Sequence, residues 1–121
     1  MKALSLMQPW PWAIFYLGKD IENRGKATRI RGRILIHASK TYDHEGAKWI
    51  EKQFGIKAPG PTRLPMGGIV GSVEITDCVE KSDSKWFVGP KGYVLKNAKE
   101  SKFIPYRGMP GFFEVTQGKG A

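Results

Sequence analysis

Residues 67–80 read GGIVGSVEITDCVE, the longest run in the chain with the composition of a strand. Val73 and Ile75 flank Glu74, and alternation sends the carboxylate to the face opposite theirs, which is either solvent or a lined cleft. Glycines at 67, 68 and 71 mark a bulge or a close approach of backbone to a neighbour, a common need in a curled sheet.

Working outward, Arg33–Ser39 is dense in apolar and β-branched residues with no helical period and reads as a buried strand. Met1–Leu6 reads as a short edge strand, Lys19–Arg24 as a polar strand or extended loop, and segments 92–96 and 111–116 as further strands. Pro9 or Pro11 suits the first turn of a helix carrying Trp12–Tyr16, which Gly18 ends. Asp43 suits the N-cap of a second helix over 45–54, with Ala47, Ile50 and Phe54 on one face and Gly55 closing it. Three prolines in IKAPGPTRLPM, 56–66, make a surface loop. The expectation is a small α+β fold whose barrel-like sheet of about five or six strands packs beside two helices. A single domain over 1–117, with a frayed tail at 118–121, fits 121 residues.

Composition narrows the function. No apolar run approaches the roughly 20 residues of a bilayer span, and the proline- and tryptophan-broken N-terminus reads as mature structure. The single cysteine, Cys78, excludes an internal disulfide and fits a reducing cytoplasm. Neither His37 nor His44 has a second ligand at metal spacing, so no metal is expected, and no GxxxxGK[ST] or GxGxxG fingerprint points to a nucleotide cofactor. No cofactor is expected. Twenty Lys and Arg against eleven Asp and Glu give a formal charge of +9, a field that draws polyanions.

Two stretches carry candidate chemistry. Arg24, Lys26, Arg29, Arg31 and Arg33 fall within ten residues without one acid, a density matched by phosphates. The plain alternative is a solvated loop. Ahead of them, Lys19, Glu22 and Arg24 cluster just after the first helix; in an extended chain Lys19 and Glu22 would face opposite ways, so a twist, bulge or helix end is needed to join them. Joined in a cleft they would be a catalytic or base-recognising pair; exposed, they form an ion pair worth at most about 1 kcal/mol. Trp10, beside Gln8, offers a stacking surface with a polar handle for a base, whereas Trp12 is assigned to the core.

Together these residues resemble the ASCH domain, a member of the PUA-like superfamily. Its G-x-K-x-x-E-x-R signature is met by Lys19, Glu22 and Arg24, with Leu17 where the first glycine would stand and Gly18 beside it. SLMQPWPWAI, ILIHAS, LPMGGIVGSVEITDCV, GYVLKN and GMPGFFEV look like segments of bacterial and phage members. The resemblance implies a β-barrel with flanking helices, a cleft at the barrel mouth, and RNA or nucleotide binding. Gln8 and Trp10, with Lys19 and Glu22, would line a base pocket, while Arg24, Lys26, Arg29, Arg31, Arg33 and Lys40 would contact phosphate.

Some members resemble hydrolases. One branch is similar to amidohydrolases of N4-acylated cytidine that use a signature lysine, a hydroxyl residue three positions on, and a glutamate on a later strand; Lys19 and Glu74 match the ends, and Glu22 stands in the middle. Another is similar to ribonucleases of single-stranded RNA. Lys19, Glu22 and Glu74 are therefore the catalytic candidates of the alternative reading. A third reading makes Phe112, Phe113 and Tyr106 a protein-docking anchor. The expected partner is single-stranded RNA, a nucleotide or a modified nucleoside, bound by a monomer with no membrane association.

Overall fold

A computed structural model describes residues 1–116; the expected frayed tail lies outside the described residues. In chain order the elements are β1 (Lys2–Gln8), α1 (Trp10–Tyr16), β2 (Ile21–Arg24), β3 (Gly32–Tyr42), α2 (His44–Phe54), β4 (Gly68–Val79), β5 (Lys91–Pro105) and β6 (Phe112–Glu114). The strands form one mixed sheet in the order β2-β5-β4-β3-β1-β6. Only β1 and β3 run parallel; the other neighbours are antiparallel.

The sheet is curled, and its concave side encloses a core of Leu4, Leu6, Ile34, Ile36, Val73, Ile75 and Leu95, with Ile14 of α1 inserted. No ladder joins β2 to β6, so the barrel stays open in its hydrogen bonding. Side chains bridge the gap instead: Arg24 of β2 donates from Nη2 to the Ser5 carbonyl of β1 at 3.0 Å. Tyr93 of β5 stacks on Phe112 of β6 with centroids 5.8 Å apart, and donates its hydroxyl to the Lys26 carbonyl at 2.8 Å.

The glycines of β4 are where backbone crowds. A Cβ at Gly71 would lie 2.5 Å from both the Lys99 carbonyl oxygen and the Phe15 ring, and one at Gly68 would meet the Ile104 carbonyl. Register shifts flank Gly71 in the β4–β5 ladder, as the glycine spacing suggests. Asp43 caps α2 by accepting from the Gly46 N–H at 2.8 Å, and Gly55 ends the helix in the left-handed region at φ 69°.

Three sequence expectations are revised. β1 is not an edge strand, because the three-residue β6 pairs along its outer side. β5 runs far past residue 96, to Pro105; its distal residues 96–105 are all exposed, so they show no buried alternation to read. Phe113 is buried and Phe112 is half-buried against Tyr93, which removes them as an exposed docking anchor.

Candidate functional site

The turn after α1 builds the site. Gly18 takes φ 69°, and the Lys19 N–H returns to the Ala13 carbonyl at 3.1 Å, so Lys19 belongs to the helix end rather than to β2. Its side chain, only 2% exposed, therefore turns toward the same space as Glu22. Lys19 Nζ donates to Glu22 Oε1 at 2.9 Å and also to the Ile21 carbonyl, and it lies 5.4 Å from the Trp10 ring centre. Arg24 Nε donates to the other carboxylate oxygen of Glu22 at 3.2 Å. Glu22 is thus clamped between two cations, one buried and one reaching on to β1.

A cavity of about 290 Å³ opens over this pair, lined by Trp10, Lys19, Glu22, Asn23, Trp49 and Val88. Its aromatic walls come from different helices. Trp10 sits at the start of α1 and Trp49 in α2, with ring centres 6.0 Å apart and planes tilted by 56°. Asp43 fixes Trp10 by accepting from its indole Nε1 at 2.8 Å, so one carboxylate caps α2 and sets the pocket wall. Behind Trp49, Trp86 and Phe54 stack with centres 4.4 Å apart. Asn23 holds the rim: Nδ2 donates to the Trp86 carbonyl, and Oδ1 accepts from the N–H groups of Val88 and Gly89. Val88, 66% exposed, is the apolar lip.

Chemically the cavity offers two flat apolar surfaces and a polar floor of fixed charge. Such a space suits a planar heterocycle, stacked on indole and hydrogen-bonded at its edge. Beside it, burial pushes the Tyr93 phenol above its ordinary pKa, with the nearby Arg24 guanidinium pulling the other way.

The remaining candidates divide. Gln8 is 2% exposed and spent on the fold, its Nε2 donating to the Pro65 carbonyl and its Oε1 accepting from the Trp12 N–H. Glu74 faces away from Val73 and Ile75, as alternation requires, but onto the outside of the sheet, where it meets Arg33 Nη2 at 3.5 Å and Asn97 Nδ2 at 2.9 Å. It does not line the cavity with Lys19. The basic connector is similarly dispersed: Arg24 and Arg33 bond within the sheet, and Arg31 bonds the Thr28 and Ile30 carbonyls. Lys26 and Arg29 are exposed, and Lys40 lines a different cleft with His37. Among the described residues no group of three or more His, Cys, Asp or Glu side chains is placed to hold a metal ion.

Sequence reasoning missed Trp49, Asn23 and Val88. Trp49 lies beside Ile50 but off the expected face of Ala47, Ile50 and Phe54, so its aromatic type was the only signal available.

The geometry invites comparison with known families. Residues 4–106 match the family profile described as ASCH domain, which covers most of the chain. The chain belongs to the ASCH domain family. The matched span runs from β1 to the end of β5 and includes every residue of the Trp10–Trp49 cavity. Curated proteins gave no match to this ASCH chain. Family membership is consistent with RNA binding, and no helix among the described residues is long and apolar enough to cross a membrane.

Proposed function

We propose that this ASCH domain binds single-stranded RNA or a nucleotide by taking an unpaired base into the cavity between Trp10 and Trp49, above the Lys19–Glu22–Arg24 ion-pair cluster. The observation that carries the reading is the pairing of two indole walls with a buried, fully hydrogen-bonded ion pair in a cavity of about 290 Å³. A base stacked on such a wall contributes about 1 to 3 kcal/mol whatever its identity. The formal charge of +9 supplies the long-range attraction that brings a polyanion to the cavity. Because a paired base is stacked away from the protein, the domain should quench its tryptophan fluorescence on titration with single-stranded RNA and not with duplex of the same sequence. Equal quenching by both would refute base capture.

A second reading, a small hydrolase of single-stranded RNA or N4-acylated cytidine, draws on the buried Lys19 ammonium at the cavity floor. It loses support at Glu74, which stands outside the cavity, leaving Lys19 and Glu22 as its only acid–base groups there. Turnover of either substrate that vanishes in Lys19→Ala would establish it; intact substrates would leave the cavity to binding.

A further inference from the structure

The second cleft lies on the face of the sheet that carries the alternate side chains of β1 and β3. It has a volume of about 910 Å³ and is lined by Ser5, His37, Ser39 and Lys40, with residues 105–110 forming the opposite wall. Its charge is one-sided. Lys40 and Arg107 both line it, and among the described residues no carboxylate does. Among the described residues neither cation makes an ion pair, in contrast to Arg24, Arg31 and Arg33 of the connector.

The floor is tied together by hydrogen bonds. The Tyr106 carbonyl only accepts, so His37 Nε2 carries the proton donated to it across 2.7 Å. Nδ1 meets the Ser5 hydroxyl at 3.1 Å. Gly108 lies flat on the imidazole, where a Cβ would fall 2.6 Å from Nδ1. The stem of Lys40 runs over Gly67, which has φ 86° and leaves only 3.2 Å between a notional Cβ and Lys40 Cε. The lysine is thereby laid along the cleft with part of its rotamer freedom already spent.

We infer that this cleft is a phosphate-binding site, Lys40 and Arg107 clasping phosphate groups of a single-stranded nucleic acid above the Ser5–His37 floor. Two cations of different chain segments, in a cleft also lined by the Ser5 and Ser39 hydroxyls and, among the described residues, by no acid, match a phosphate as a planar fork and a point charge. Three of the connector's arginines are already held by carboxylates and carbonyls, which leaves it Lys26 and Arg29 as exposed cations. The inference extends the nucleic-acid reading but uses no residue of the base cavity, so the two can fail separately.

The test uses a short single strand of abasic sites, which has phosphates and no bases, and measures its affinity for the full chain across a salt series. Lys40→Ala/Arg107→Ala should flatten the log–log salt slope by about 1.4, near 0.7 for each lost contact on a single strand. Trp10→Ala should leave that slope unchanged, which separates this cleft from the base cavity. Lys81→Ala/Lys85→Ala, equal in charge but elsewhere on the surface, should also leave it unchanged. A wild-type slope in the Lys40/Arg107 variant, or the same flattening in the Lys81/Lys85 variant, overturns the site. Inorganic pyrophosphate is the second probe. Competition with the abasic strand, lost in Lys40→Ala/Arg107→Ala, shows that free phosphate is also taken; no competition assigns the cleft to the strand alone.

Discussion

Lys19 and Glu22 meet at 2.9 Å although an extended chain would point them to opposite sides, because the left-handed Gly18 places Lys19 on the end of α1 and Glu22 on β2. With the lysine side chain 2% and the glutamate side chain 11% exposed, the pair is a buried one. Removing Glu22 leaves the buried Lys19 without its carboxylate, a loss of the kind that costs about 3 to 5 kcal/mol, whereas replacing both is far milder. Glu22→Gln should therefore lower unfolding free energy in urea by about 3 kcal/mol. Lys19→Met/Glu22→Gln should recover most of that loss.

Asp43 joins helix stability to the cavity wall. Asp43→Ala removes an N-cap, worth about 1 kcal/mol, and the Trp10 indole bond, worth about 1 kcal/mol more. Denaturant unfolding should show a loss near 2 kcal/mol, and RNA affinity should fall with it because Trp10 is no longer held. Asp43→Asn, able to accept only through one oxygen, should fall between.

Gly71 tests the crowding inside the curled sheet. Gly71→Ala drives a methyl to 2.5 Å from the Lys99 carbonyl and Phe15, and should destabilise by about 1 to 3 kcal/mol. Gly60→Ala, where a Cβ meets nothing within 4 Å, should be close to neutral when both variants are compared by thermal melting.

Tyr93 makes stability depend on alkaline pH. Its folded pKa is raised, chiefly by burial, so the fold favours the protonated phenol. That contribution is complete below the unfolded value of about 10 and drains away as pH rises through the folded one. Tyr93→Phe should cost about 1 kcal/mol near neutrality, through the lost bond to Lys26, and should show a weaker decline in unfolding free energy above pH 10.

Much of this was legible in the sequence where a local rule decides the outcome. Asp43 and Gly55 bounded α2 because capping is a short-range matter of one side chain and one φ angle. Gly71 announced a close approach because only glycine fits there. The signature residues Lys19, Glu22 and Arg24 do converge, but by way of a glycine turn that period-two reasoning does not contain. What stayed hidden was long-range. The role of Trp49 depends on how α2 docks beside α1, and the positions of Gln8 and Glu74 depend on which face of the curled sheet turns inward. The arginine run looked like one surface, yet three of its members are consumed by partners up to 64 residues away.

The most direct measurement is the affinity of a labelled single-stranded RNA for the wild type and for Trp49→Ala at one low salt concentration. Trp49 lines the cavity and carries no charge, so its loss removes stacking surface alone. Base capture predicts an affinity about 5- to 150-fold weaker, equivalent to about 1 to 3 kcal/mol. An unchanged affinity, with the variant folded by circular dichroism, would contradict it.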